Sequence, residues 1–376
     1  MDSVSLLLLI VFIILLGVTI RYFFFSSKKK TSAHDMEIRA LNHILAGEKE
    51  AALRLLKEIG RKDTSNLGVF LQVGDLNRQL GNAEAAVRVH QDVLDRHSIS
   101  QEIRLMAHER LAKDYEALEQ YEAAAQHARE ILQENKKNLW ALESLHRYAV
   151  KSKKWSTAIK AFQKETAAGG SPNPLLPSIY KTQEALESNA KGKKSEALSM
   201  LKQAIKLNNK CAAPYFHLGK INQDDGNFKH AIDYYTTFAE LDPSSSSLVF
   251  SDIEKMYFEL GQFEKVEQFY QRLQRKQPDN LEVAIGLANY YERKGEFRDA
   301  LALMEEVKEP DNIHLSYTLG HLQLLEKTGH KDAHKAKVEA LIDEDRRLRI
   351  LTCGQCGFTS SDPKYICEKC GWVQVP

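Results

Sequence analysis

Residues Ala212 to Pro243 read AAPYFHLGKINQDDGNFKHAIDYYTTFAELDP, and this stretch decides the fold. Tyr215, Leu218, Gly219 and Asn222 recur at helical spacing and share one face of a first helix. Gly226 and Asn227 punctuate a turn, and Ala231, Tyr235 and Phe238 share one face of a second helix that Pro243 ends. Gly219 and Ala231 allow the two backbones to approach where the helices cross, and the ring of Tyr235 fills the space beside them.

The order Leu-Gly, Gly-Asn-Phe, Ala, aromatic, Pro over roughly 34 residues resembles the tetratricopeptide repeat. Working outward, further copies are marked by Gly47 and Ala52; by Phe70, Val73, Gly74, Gly81 and Ala86; and by Leu111, Ala112, Tyr115, Tyr121 and Ala124. Leu145, Trp155, Ala158 and Phe162 mark a fourth, and Gly192, Ala197 and Leu201 a fifth. Beyond the sixth come Ile253, Tyr257, Gly261, Phe263, Tyr270 and Pro278, then Leu287, Tyr291, Gly295, Phe297 and Ala300. His314 to Ile342 is a worn final helix pair that keeps Leu319-Gly320. The equivalent positions 52, 86, 124, 158, 197, 231, 266 (a valine) and 300 are mostly 34 or 35 apart, with stretched intervals before Ala124 and Ala197. The second stretched interval contains a Pro-rich break at 169–177, where a helix must stop. A single repeat cannot bury its apolar face alone, so the array over residues 36–345 is expected to stack into a superhelix of about eight or nine helix pairs.

Leu, Ala, Gly and aromatic positions in such an array are packing residues. In tetratricopeptide arrays the neighbouring stripe of the first helices lines the concave face. Carried over, that rule selects Leu71, Asp75, Arg78, Lys113, Glu116, Phe216, Lys220, Gln223, Lys255, Asn289 and Arg293 as candidate partner-binding residues. The competing reading of each is a solvated surface position. His90, His97, His108, His127 and His146 lack metal-ligand spacing, and there is no phosphate loop, dinucleotide fingerprint or Gly-x-Ser-x-Gly. No enzymatic activity is expected. Cys211, alone at a helix start, reads as a small buried residue. With 52 Lys plus Arg against 51 Asp plus Glu, no net field favours nucleic acid.

The N-terminus differs in kind. Val4 to Ile20 carries no charge, and Tyr22 to Phe25 resumes the apolar run after Arg21, enough to span about 30 Å of hydrocarbon. Asp2 replaces the basic start of a signal peptide, and no small-x-small cleavage site follows. Residues 1–25 therefore read as a single-pass anchor in the lipid bilayer and 26–35 as a basic linker, with Lys28, Lys29 and Lys30 placing the bulk of the chain in the cytoplasm.

At the other end, residues 350–376 hold Cys353-x2-Cys356-x10-Cys367-x2-Cys370. Two Cys-x-x-Cys-Gly turns facing one another offer four thiolates to one tetrahedral Fe or Zn ion, whose binding would supply much of the folding free energy of so small a module. A structural role, a redox role with iron cycling between ferrous and ferric states, and a nucleic-acid-binding ribbon are the three readings of this module. Asp362 and Glu368 offset Lys364 and Lys369, which counts against the last.

Anchor, array and four-cysteine module together resemble the lipopolysaccharide assembly protein B family of Gram-negative bacteria. The more specific stretches are Gly81 to Gln91 (GNAEAAVRVHQ), Arg104 to Tyr121 (RLMAHERLAKDYEALEQY) and Cys353 to Thr359 (CGQCGFT). The resemblance implies an all-α array carrying an N-terminal transmembrane helix and a rubredoxin-like, zinc-ribbon-sized metal domain. It implies an inner-membrane adaptor that works with the membrane protease FtsH and promotes degradation of the lipid A deacetylase. It also implies that lipopolysaccharide assembly proteins gather at the cytoplasmic face, with Cys353, Cys356, Cys367 and Cys370 as the metal ligands. A redox protein, or a tethered peptide-binding scaffold unrelated to lipopolysaccharide, is the alternative, and exposed array ends leave a homodimer open.

Overall fold

The computed structural model describes residues 33–307, 314–348, 351–352 and 359–360. The anchor over 1–25, most of the linker and all four candidate metal-ligand cysteines lie outside the described residues. Helix α1 begins at Ala33, so the last residues assigned to the linker are already helical.

Two compact units divide between Asn173 and Pro174. In the first, α1 (Ala33–Leu45), α2 (Lys49–Lys62), α3 (Leu67–Gln79), α4 (Ala83–Leu94), α5 (Gln101–Ala117), α6 (Tyr121–Glu134), α7 (Leu139–Lys151) and α8 (Trp155–Ala167) form four antiparallel pairs. In the second, five pairs run through α9 (Leu176–Ala190), α10 (Lys194–Leu207), α11 (Ala213–Asp224), α12 (Phe228–Leu241), α13 (Phe250–Glu259), α14 (Glu264–Lys276), α15 (Leu281–Lys294), α16 (Phe297–Glu306), α17 (Leu315–Lys327) and α18 (Lys331–Leu348). The worn final repeat is thus a full helix pair, and α18 runs past Ile342 into the Asp343–Leu348 segment that the sequence reading set outside it. The helices of each unit form a stack of tetratricopeptide-like pairs.

The two kinds of helix start differently. First helices follow inter-repeat loops and need a cap: Asn66, Ser100, Asn138 and Asn280 accept backbone N–H groups at the starts of α3, α5, α7 and α15. Pro177 and Pro214 lie in the first turns of α9 and α11, where a missing N–H costs nothing. Second helices instead begin straight from a tight turn. At that turn one residue takes a positive φ, and the next N–H bonds back to the carbonyl five residues earlier, as Asn82 does to Asn77 and Gln120 to Tyr115. The left-handed residues are Gly47, Gly81, Glu119, Lys153, Gly192, Gly226, Gly261, Gly295 and Gly329. Their intervals of 34, 38, 34, 39, 34, 35, 34 and 34 place the two stretched repeats where the alanine series does.

The core follows the same period. Ala52, Ala86, Ala124, Ala158, Ala197, Ala231 and Ala300 are all 0% exposed, and Val266 takes their place in the seventh pair. A Cβ on Gly219 would lie 2.4 Å from the ring of Tyr235, so the ring fills space that only glycine leaves. In the first unit the imidazole of His90 occupies the matching place, 2.2 Å from where a Cβ on Gly74 would be. Cys211 is buried with a free thiol, as expected for a small packing residue. After α18, strands β1 (Leu351–Thr352) and β2 (Thr359–Ser360) pair antiparallel, with Leu351 opposite Ser360 and Thr352 opposite Thr359.

Glu119 and Lys153 hold the left-handed turn at φ 58° and 55°, where an L side chain crowds its own carbonyl. Glu119→Gly and Lys153→Gly are each expected to stabilise the chain by about 0.5–1 kcal/mol in urea unfolding, less the added entropy of the unfolded chain.

Candidate functional site

Ion pairs one repeat apart tie consecutive first helices together. Arg78 on α3 donates to Asp114 on α5 at 2.6 Å, and Arg110 on α5 returns to Asp75 on α3 at 2.8 Å. Arg147 on α7 meets both carboxylate oxygens of Glu116 on α5, at 2.7 and 3.0 Å. In the second unit Arg293 on α15 reaches Glu254 on α13 at 2.7 Å, and Lys327 on α17 reaches Glu292 on α15 at 2.7 Å. Contacts near the starts of second helices add to these, Lys154 pairing with Glu122 and Lys194 with Asp225 at the end of α11.

The first unit has the most buried of these contacts. Asp114 and His90 are both fully buried, and His90 Nδ1 lies 2.5 Å from the Asp114 carboxylate. The other ring nitrogen, Nε2, lies 3.0 Å from the Leu71 carbonyl. A carbonyl only accepts, so the ring donates from Nε2 in that contact. Burial alone would depress the Arg78 guanidinium, but its bonds to Asp114 and Asp75 outweigh that and raise it. One helical step along, Tyr148 donates to Glu116, and burial beside that carboxylate pushes its phenol up to about 12.

The eleven candidate partner-binding residues therefore separate into four groups. Leu71 is a correction: it is 1% exposed and packs with Val93 and Ala107 between repeats, because α5 covers that face of α3. Six others are engaged within the chain. Asp75, Arg78, Glu116 and Arg293 are in the ion pairs above; Lys113 pairs with Glu109 and sits 5.4 Å over the Trp140 ring; Gln223 accepts from the Tyr235 hydroxyl at 2.8 Å. Phe216 is half-buried against Tyr235 and Phe238. Lys220, Lys255 and Asn289 are exposed and make no hydrogen bond or ion pair among the described residues.

Sequence reading weighed His90 only as a metal ligand and passed over Arg110, Asp114, Arg147 and Glu254, and for these four the pairing has a periodic basis. The signal was present, since opposite charges on first helices 31–39 residues apart are one repeat apart in space. Among the described residues no three His, Cys, Asp or Glu side chains converge as metal ligands. His108 and His127 do meet, with Nδ1 atoms 3.0 Å apart and Tyr115 stacked on the His127 ring. Burial, with His108 beside it, holds His127 down to about 4, and burial lowers His108 too.

Removing Asp114 would leave Arg78 and His90 without their shared carboxylate. Asp114→Ala is expected to cost about 3–5 kcal/mol in urea unfolding, whereas removal of the exposed Lys154–Glu122 pair costs about 0–1 kcal/mol. The histidine pair makes stability depend on pH. Folded His127 resists a proton that the unfolded chain takes up near pH 6.5, so stability is full above that value and falls as pH drops toward 4. With solvent screening discounted, His127→Gln should spare about 1 kcal/mol of the loss between pH 7 and pH 5, read as a smaller shift of the unfolding midpoint.

A tetratricopeptide repeat family model matches residues 212–245. Lipopolysaccharide assembly protein B of Escherichia coli (strain K12) is 21% identical over 344 residues, spanning 90% of this chain and 88% of the relative. Lipopolysaccharide assembly protein B of Haemophilus influenzae is 23% identical over 267 residues, 68% of this chain and 66% of the relative. Among solved structures, MamA from Desulfovibrio magneticus RS-1 is 20% identical with a TM-score of 0.33, covering 47% of this chain and 95% of that structure. The chain thus carries a tetratricopeptide repeat at 212–245 and is similar over most of its length to lipopolysaccharide assembly protein B.

Proposed function

We propose that this chain is a non-enzymatic adaptor that regulates lipopolysaccharide synthesis from the cytoplasmic face of the inner membrane. The observation that carries the reading is a similarity to lipopolysaccharide assembly protein B spanning 90% of the chain, on a fold made of stacked repeats. Such arrays present continuous surfaces to other proteins. In this reading residues 1–25 anchor the chain in the bilayer, and the array brings the lipid A deacetylase to the membrane protease FtsH and gathers lipopolysaccharide assembly proteins. Lys220, Lys255 and Asn289, exposed and unengaged on first helices of the second unit, are the stripe residues available for that work.

The terminal module completes the proposal. Cys353, Cys356, Cys367 and Cys370 would hold one Fe or Zn ion. What supports this is the donor set, four thiolates in two Cys-x-x-Cys turns, and the antiparallel pairing of β1 with β2 on either side of residues 353–358. The bound ion would supply folding free energy to a segment of 27 residues (350–376) that is too small for a core of its own.

A Cys367→Ser, Cys370→Ser chain expressed in the membrane tests both parts. Loss of bound metal together with loss of protease association and accumulation of the deacetylase is the expected result. Metal loss with unchanged partners and deacetylase level would remove the module from the working surface. A chain lacking residues 1–25 that regulates normally would overturn the tethered adaptor.

A further inference from the structure

The first unit contains a groove that the stacking of repeats does not require. It lies between α6 and α8 over α7, with a volume of about 550 Å³, half open to solvent, and a second hollow of about 490 Å³ adjoins it at Leu132 and Leu142. Its floor is apolar: Ala125, Leu132, Leu142, Leu145 and Ala149, with the ring of Tyr148. Around that floor stand Arg129, Lys136, Lys154, Lys160 and Lys164, and the one acid lining it is Glu122.

The charge is local and largely unanswered. The whole chain is nearly neutral, yet five cations here face one carboxylate. Lys154 and Arg129 both bond to Glu122 and hold its carboxyl below the usual carboxylate range, so that acid is already committed. Lys136, Lys160 and Lys164 make no ion pair among the described residues. Lys160 and Lys164 are one turn apart on α8 and line the same side of the groove as Ala161. The equivalent hollow in the second unit, between α12 and α14 over α13, differs. It has about 330 Å³, and Asp233, Thr236, Thr237 and Gln268 make its lining polar. That hollow also has Lys265 and Arg272, but it lacks the apolar floor, so the two hollows differ in the surface they offer.

We propose that this groove docks an acidic amphipathic helix of a partner protein. Its apolar side chains, recurring at i, i+3, i+4 and i+7, would enter the floor while flanking Asp and Glu meet Lys136, Lys160 and Lys164. Two helical walls about 20 Å long suit a helix of three to four turns. An acyl chain in the same place would keep one side in water along its length. The proposal goes beyond the adaptor reading and stands on the groove alone, since none of its residues is on the first-helix stripe of the second unit.

The test uses the full-length chain in neutral phosphatidylcholine nanodiscs and a fluorescent peptide of about 14 residues, with leucines at helical spacing and glutamates between. A peptide with lysine in place of each glutamate is the control, and phosphatidylglycerol vesicles are offered as competitor. The acidic peptide is expected to bind about tenfold or more tightly than its lysine counterpart, to weaken with added salt, and to lose about tenfold in affinity in K160E/K164E and in Lys136→Glu. These positions are exposed, so circular dichroism of each variant should match the parent. Equal binding of the two peptides, no binding of either, or affinity unchanged in both variants would overturn the proposal. So would binding to anionic vesicles that the acidic peptide does not displace, which would assign the groove to a lipid surface.

Discussion

Two helices approach closely enough to share a core where the side chain between them is small. The chain meets that constraint at seven alanines with no exposed surface, takes Val266 in the seventh pair, and reinforces it where Tyr235 or His90 lies against a glycine. Everything else in the array depends on that spacing. Pairs that close in one fixed way stack in one fixed way, and stacking brings first helices of consecutive repeats within side-chain reach. The ion pairs one repeat apart are a consequence of that distance. They add order to an arrangement that burial of apolar surface already drives, because exposed pairs contribute little and only the buried Asp114 junction is costly to break.

The first-helix stripe is thus used for two purposes that compete. A charge that bridges two repeats is not available to a partner without breaking the bridge. In the first unit Asp75, Arg78, Glu116 and Arg147 are committed in this way, with Asp114 and His90 buried beneath them. In the second unit Arg293 bridges to Glu254 and Lys327 to Glu292, and aromatic rings pack within the pairs, Phe250 on Phe269 and Tyr270 and Phe216 on Tyr235 and Phe238. Lys220, Lys255 and Asn289 are outside these contacts, so the two units share a fold and differ in which stripe residues each can offer.

The left-handed turn shows how a repeat tolerates departure from its pattern. Seven of its nine occurrences use glycine, and the two that do not, Glu119 and Lys153, follow each other in the first unit. Their backbone hydrogen bonds match those at the glycine turns, with Gln120 bonding to Tyr115 and Lys154 to Ala149. Tertiary packing of α5 against α6 and of α7 against α8 imposes the conformation, and the side chain accepts the strain.

The repeat period, the helix pairs and the buried alanines were legible in the sequence, because each depends on residue size and spacing along one chain segment. The Pro-rich break at 169–177 marked a helix end for the same local reason, and the helix before it stops at Ala167. The site was legible only as a stripe. Spacing places Leu71, Asp75 and Arg78 near one another on α3, but which of them α5 covers is decided by the angle and depth at which the next repeat packs. That is why Leu71 proved to be core and Arg78 a bridge. The junction of His90 with Asp114 and the cationic groove over α7 join side chains from three helices each. No periodicity along the sequence specifies such meetings, whereas the close approach allowed by small residues does.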